Sequence, residues 1–168
     1  QIVTLAYADS TTAGTGAIMA NGLMPQGPSF NASVGDLPTI APTIVGSTIY
    51  PPVAEGQVTR TTGTAITATV NTTPVQLGQL AATQHIVAAI HIFDYSGTGT
   101  LTFQIQSSSS SGGSYTNRGS AGTALSAAGA QWLSATSITT TNTWWRLNVT
   151  ASASPSATVL ASLAIFTP

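Results

Sequence analysis

Residues 85–110, HIVAAIHIFDYSGTGTLTFQIQSSSS, hold two consecutive stretches in which apolar side chains recur at every second position. In the first, Ile86, Ala88, Ile90 and Ile92 share one face, while His85, Val87, Ala89, His91 and Phe93 share the other. In the second, Leu101, Phe103 and Ile105 alternate with Thr102, Gln104 and Gln106. A period of two belongs to extended strands, because the apolar stripe of a helix returns only every three to four residues or so. The Gly-Thr-Gly between the two stretches reads as a short hairpin connection. A chain organised around such a pair must build sheets, and their apolar faces must find cover.

The same pattern continues on both sides. QVTRTTGTAITATVNTT (57–73) is rich in Thr and Val, and TNTWWRLNVTAS (141–152) alternates again. Its Trp145, Leu147 and Val149 fall on one face, and Trp144, Arg146, Asn148 and Thr150 on the other. Residues 107–135 open as a loop-like Ser/Gly run, and their second half reads as strand plus loop. "SPSA" turns the chain so that the last two strands pair as a hairpin. The last stretch, TVLASLAIF (158–166), is apolar on both faces: Val159, Ala161, Leu163 and Ile165 on one, Leu160, Ala164 and Phe166 on the other. Short strands joined by turns predict an all-β fold, an antiparallel β-sandwich or jelly roll. The two-sided last strand needs a second cover, from an N-terminal arm or from a neighbouring subunit.

Such an arm is legible. Residues 1–56 carry Pro25, Pro28, Pro38, Pro42, Pro51 and Pro52 out of nine prolines in the chain, which forbids long helices and central strands there. QIVTLAYA reads as a short strand, followed by extended, turn-rich chain with apolar anchors at Ile40, Ile44, Ile49 and Tyr50. The expected division is therefore an extended arm over 1–56 and a β-sandwich over 57–168.

Charge narrows the function. Only three Arg, no Lys and four acidic residues stand among 168 positions. Charged residues make up 4% of the chain, against about a quarter in ordinary domains. Three cations cannot make a basic stripe, so nucleic acid and anionic membrane are poor partners. No run of about 18 apolar residues spans a bilayer, and no basic-then-apolar start resembles a secretion signal. The absence of Cys removes disulfides, thiolate metal sites and Cys nucleophiles. Little net charge leaves little repulsion between copies, which suits a protein packed against neighbours.

No pattern of reactive groups emerges. Asp9, Asp36, Glu55 and Asp94 are far apart in sequence, whereas glycoside hydrolysis needs two carboxylates converging on one bond. His85 and His91 share a strand face but lie too far apart for one metal, and read as interface or core residues. No phosphate-cradling glycine motif opens a helix. The Asn-x-Ser/Thr triplets at Asn31, Asn71 and Asn148 are expected by chance in a chain so rich in Ser and Thr. Asp94 and Arg146 are expected to pair across neighbouring strands. No catalytic, cofactor or metal site is expected, and the protein is read as non-enzymatic.

The stretches IHIFDYSGTGTLTFQIQSSSSSGGSYTNRG, AQWLSA, TNTWWRLNVT and ATVLASLAIF, in this order, resemble small virion proteins of tailed bacteriophages. There a strand of L-x-V-x-I-Q-S type precedes a Ser/Asp/Gly loop, and T-D-T-W-W-R or T-x-Y-W-R precedes the last hairpin. The matching residues are Leu101–Ser107 and Thr141–Arg146, with Asn142 where Asp is common. The resemblance covers roughly residues 85–168 and implies a capsid cement or decoration protein, commonly a trimer on the shell. It implies a homotrimer whose partner is the major capsid protein, on the virion surface after assembly in the host cytoplasm. The interface candidates are Trp144, Arg146, His85, His91, Leu160, Phe166, Ile44 and Tyr50. The alternative is an adhesin or carbohydrate-binding β-domain of a head or tail fibre, with Trp144, Tyr115 and Trp132 lining a glycan site.

Overall fold

The computed structural model describes residues 2–6, 12–23, 29–31, 39–41, 45–46 and 53–168. Every regular element among them is a strand: β1 (Ile2–Ala6), β2 (Gly16–Leu23), β3 (Ser29–Asn31), β4 (Thr39–Ala41), β5 (Val45–Gly46), β6 (Val53–Arg60), β7 (Val70–Asn71), β8 (Val75–Gln76), β9 (His85–Gly97), β10 (Thr100–Ser108), β11 (Thr116–Asn117), β12 (Gly129–Ala135), β13 (Trp144–Ser152) and β14 (Pro155–Phe166). The first sheet runs β1-β2-β6-β14-β9-β12, with β5 also on β2. The second runs β11-β10-β13-β7, with β8 also on β13, and β3 pairs with β4. All pairings are antiparallel. The fold is an all-β sandwich.

One folded ribbon generates both sheets. β9 and β14 pair from His85–Phe166 to Gly97–Pro155, and β10 and β13 continue from Thr100–Ser152 to Ser108–Trp144. The Gly-Thr-Gly is therefore a corner and not a hairpin turn, since β9 and β10 lie in different sheets. The same holds for β13 and β14, which the sequence suggested as a hairpin. The corner needs glycine. Gly97 and Gly99 have φ of 83° and 99°, and a Cβ would stand 2.2 Å from the Ser154 carbonyl oxygen at Gly97 and 1.8 Å from that of Ser152 at Gly99.

The main core lies between the sheets and uses the faces that alternation selects. Ile86, Ala88, Ile90 and Ile92 of β9 meet Leu101, Phe103 and Ile105 of β10, Trp145, Leu147 and Val149 of β13, and Val159, Ala161 and Leu163 of β14. Trp145 is wholly buried, and its indole N–H donates to the Gly78 carbonyl at 2.8 Å, so the ring is buried without stranding its polar atom.

The outer face of the first sheet carries the second cover. The sheet curls until β1 approaches β9 and β12. Met19, Ala54, Val87, Ala89 and Ala164 form a small core there, joined by Ile2, Trp132 and Phe166. Leu160 packs with Ala17 and Val58. The N-terminal strands thus cover the two-sided β14 within one chain. They do so as members of the sheet, since β2 pairs with β6, and the division expected near residue 56 falls inside β6.

A bulge in β9 re-aims two side chains. Ile92 lies opposite Val159 and Asp94 opposite Thr158, which leaves Phe93 as the extra residue. Ile92 and Tyr95 both pack on the main core. Phe93 and Asp94, between them, both turn outward and are exposed. Regular alternation would have sent them to opposite faces.

Candidate functional site

The outer face of the second sheet is polar, and its side chains are held to one another. On the β10–β13 pair Gln106 lies opposite Arg146. The Arg146 Nε donates to Gln106 Oε1 at 2.9 Å, and Gln106 Nε2 donates to Asn117 Oδ1 at 2.8 Å. The Tyr115 ring lies over the guanidinium, 3.8 Å from Cζ to ring centroid. The Tyr115 hydroxyl donates to the Ser111 carbonyl at 3.1 Å, so the Ser/Gly turn positions the ring. Burial pushes the Tyr115 hydroxyl above its ordinary pKa, and the Arg146 charge opposes that shift. Further along, Asn148 Nδ2 donates to Asn71 Oδ1 at 2.9 Å, and Thr150 donates to Asn148 Oδ1 at 3.2 Å. Trp144 is half-buried at the end of this face, between Ser108 and Gln76 in register.

The period-2 assignment places Trp144 and Arg146 outward and Trp145 inward, as alternation requires. Arg146 does not pair with Asp94. The two residues lie in different sheets, and Arg146 turns to Tyr115 and Gln106 instead. Trp132 belongs to β12 of the first sheet and packs with Val87 and Ala89. It therefore shares no face with Trp144 and Tyr115, and the three aromatics do not line one glycan platform.

The remaining candidates divide by cover. His85 and His91 share the outer face of the first sheet, both half-buried. His85 meets Phe166 edge-on at 5.3 Å. His91 Nε2 hydrogen-bonds Thr4 Oγ1 at 2.9 Å, and burial lowers its pKa. Leu160 and Phe166 pack within the clusters formed with β2 and β1, so the chain's own strands occupy the surface that a partner was expected to take. Ile44 and Tyr50, with Ile49, lie outside the described residues; Ile40 lies in β4.

Ser107 and Asn142, both within the stretches that carry the phage resemblance, meet at one end of the sandwich. Ser107 Oγ accepts from Asn142 Nδ2 at 3.0 Å and from Arg118 Nε at 2.8 Å, and a second Arg118 nitrogen reaches Thr140 Oγ1 at 3.3 Å. This cluster ties the Ser/Gly loop and the start of β13 to the end of β10.

Two features escape sequence reading. One is the Tyr115–Arg146 stack, set by a turn whose geometry alternation does not encode. The other is Phe93, 60% exposed and the one exposed large hydrophobic among the described residues; a bulge has no signature in the period. Among the described residues no three His, Asp or Glu side chains gather to hold a metal, and no helix is long and apolar enough to cross a membrane. The face around Arg146 offers fixed side-chain amides, one guanidinium and an aromatic ring for hydrogen bonding and stacking.

Comparison with protein-family models, curated proteins and solved structures finds no match.

Proposed function

We propose that this chain is a non-enzymatic structural protein of a tailed-phage particle, a decoration protein that binds the outer surface of the major capsid protein shell as a homotrimer and reinforces it. The observation that carries this reading is the locked polar face around Arg146. Gln106, Asn117, Tyr115 and Arg146 restrain one another before any partner arrives. A face whose rotamers are already fixed loses less entropy when a second copy docks on it, so a modest area gives useful affinity between the copies of the trimer. Three linked copies then bind through avidity, each engaging its own site on the shell.

Two further features support the same reading. The motif residues Leu101–Ser107 and Trp144–Arg146 lie on adjacent paired strands, β10 and β13, which form this face. The scarcity of charge suits a surface that stays packed against neighbours.

The test compares particles with and without the protein under heating and chelation. Particles carrying it hold their contents to higher temperature than stripped ones, and re-addition of the pure protein restores the difference. Equal resistance would contradict the reading. Glycan binding abolished by Trp144→Ala, with particle resistance unchanged, would favour the adhesin instead.

A further inference from the structure

We infer that Arg146 of one copy pairs with Asp94 of a second copy, in a head-to-tail contact between the outer face of the second sheet and the β9 bulge of the next molecule. This rests on the self-association in the proposed function, and not on binding to a shell.

Each partner is incomplete within one chain. Arg146 uses Nε on Gln106, and its two terminal nitrogens donate to nothing among the described residues. Asp94 is exposed and its carboxylate accepts no hydrogen bond among the described residues. The other described cations are engaged elsewhere: Arg118 on Ser107 and Thr140, and Arg60 on the Thr64 carbonyl at 2.6 Å. Arg146 and Asp94 sit on the outer faces of opposite sheets and cannot meet in cis. Between copies they can.

The surroundings of the two charges match. Beside Asp94 the bulge turns out Phe93, 60% exposed, with His91 stacked on it at 6.1 Å and 18°. Beside Arg146 lie Tyr115 and Trp144. Aromatic and Arg residues are the groups enriched in the buried centres of interfaces. The Tyr115 ring covers the guanidinium and its two terminal nitrogens are unused within the chain, so they can donate two parallel hydrogen bonds to a carboxylate. Glu55, the other described carboxylate, is also exposed, but no exposed large apolar side chain accompanies it.

Access is open as well. β12 ends at Gly129 opposite Ile92, so Asp94–Gly97 are paired on the β14 side alone and the bulged Phe93 on neither. An edge left free at this point admits a second molecule. Because the two patches differ, the contact is heterologous, and heterologous contacts that close make rings, here of three.

The test is a charge exchange read by light scattering after size exclusion, at micromolar protein. The wild type runs as a trimer. Asp94→Arg and Arg146→Asp each weaken association about tenfold or more and run as monomers. The double exchange, Asp94→Arg with Arg146→Asp, restores the trimer. Circular dichroism and melting of each variant report folding, and the milder Asp94→Asn and Arg146→Gln give the same ranking where a reversal disturbs the fold. A wild-type trimer that neither reversal weakens, or reversals that the double exchange fails to rescue, would overturn the pairing and leave the trimer standing. A monomeric wild type would overturn both.

Discussion

Thr98 and Ser154 exchange two backbone hydrogen bonds, each 3.1 Å, at the corner where the ribbon passes from one sheet to the other. The pairing of β9 with β14 therefore continues into that of β10 with β13 without a break. The register therefore carries across the corner, from the Asp94–Thr158 pair in one sheet to the Ser108–Trp144 pair in the other.

The corner should tolerate no side chain at Gly99. Gly99→Ala must hold a positive φ and displace the Ser152 carbonyl, at a cost of more than about 3 kcal/mol. Gly112→Ala meets nothing within 4 Å and should stay within about 0.5 kcal/mol of wild type. Urea unfolding of the two variants measures the contrast.

The adjacent tryptophans should separate in the same assay. Trp145→Ala empties the main core and frees the Gly78 carbonyl, for a loss of about 3–5 kcal/mol. Trp144→Ala removes a half-buried ring and should cost about 1 kcal/mol. Equal losses would mean that the strand does not present opposite faces at these positions.

His91 makes stability depend on pH. Burial depresses its folded-state pKa below the ordinary 6.5, so the unfolded chain binds the proton more readily. The contribution is fully present above about pH 6.5 and is lost as pH falls through the folded pKa. The urea midpoint should drop from pH 7.5 to pH 5, and His91→Asn should flatten that part of the drop. A His91→Asn profile that parallels the wild type would show that the ring has the same pKa in the folded and the unfolded chain.

Much of the fold is legible in the sequence because alternation is local. β9, β10 and β13 begin and end close to where their apolar period does. Sheet membership is not local. A Gly-Thr-Gly between two strands looks alike whether it closes a hairpin or turns a corner, and the choice rests on Ser152 and Ser154, more than fifty residues downstream. The outward placement of Trp144 and Arg146 follows from period two, but the true neighbours of Arg146 do not. Tyr115 reaches it from a Ser/Gly turn, and Asp94 faces outward because one extra residue at Phe93 resets the strand.

Cover of β14 by the N-terminal strands gives another expectation. Deleting residues 1–6 removes Ile2 from the Val87, Ala89 and Ala164 cluster and Thr4 from His91. The shortened chain should bind an apolar dye such as ANS, and the emission of Trp132 should shift to the red as water reaches it. Unchanged dye binding would mean that the cover comes from elsewhere.

The most direct measurement is a cryo-electron microscopy reconstruction of the particle that carries this protein. The account predicts density for the sandwich on the outer surface of the coat, in threefold clusters, with the face bearing Arg146 and the Phe93–Asp94 bulge in contact between neighbouring copies. Density for the chain only in a tail or fibre, or no density on the shell, would contradict it.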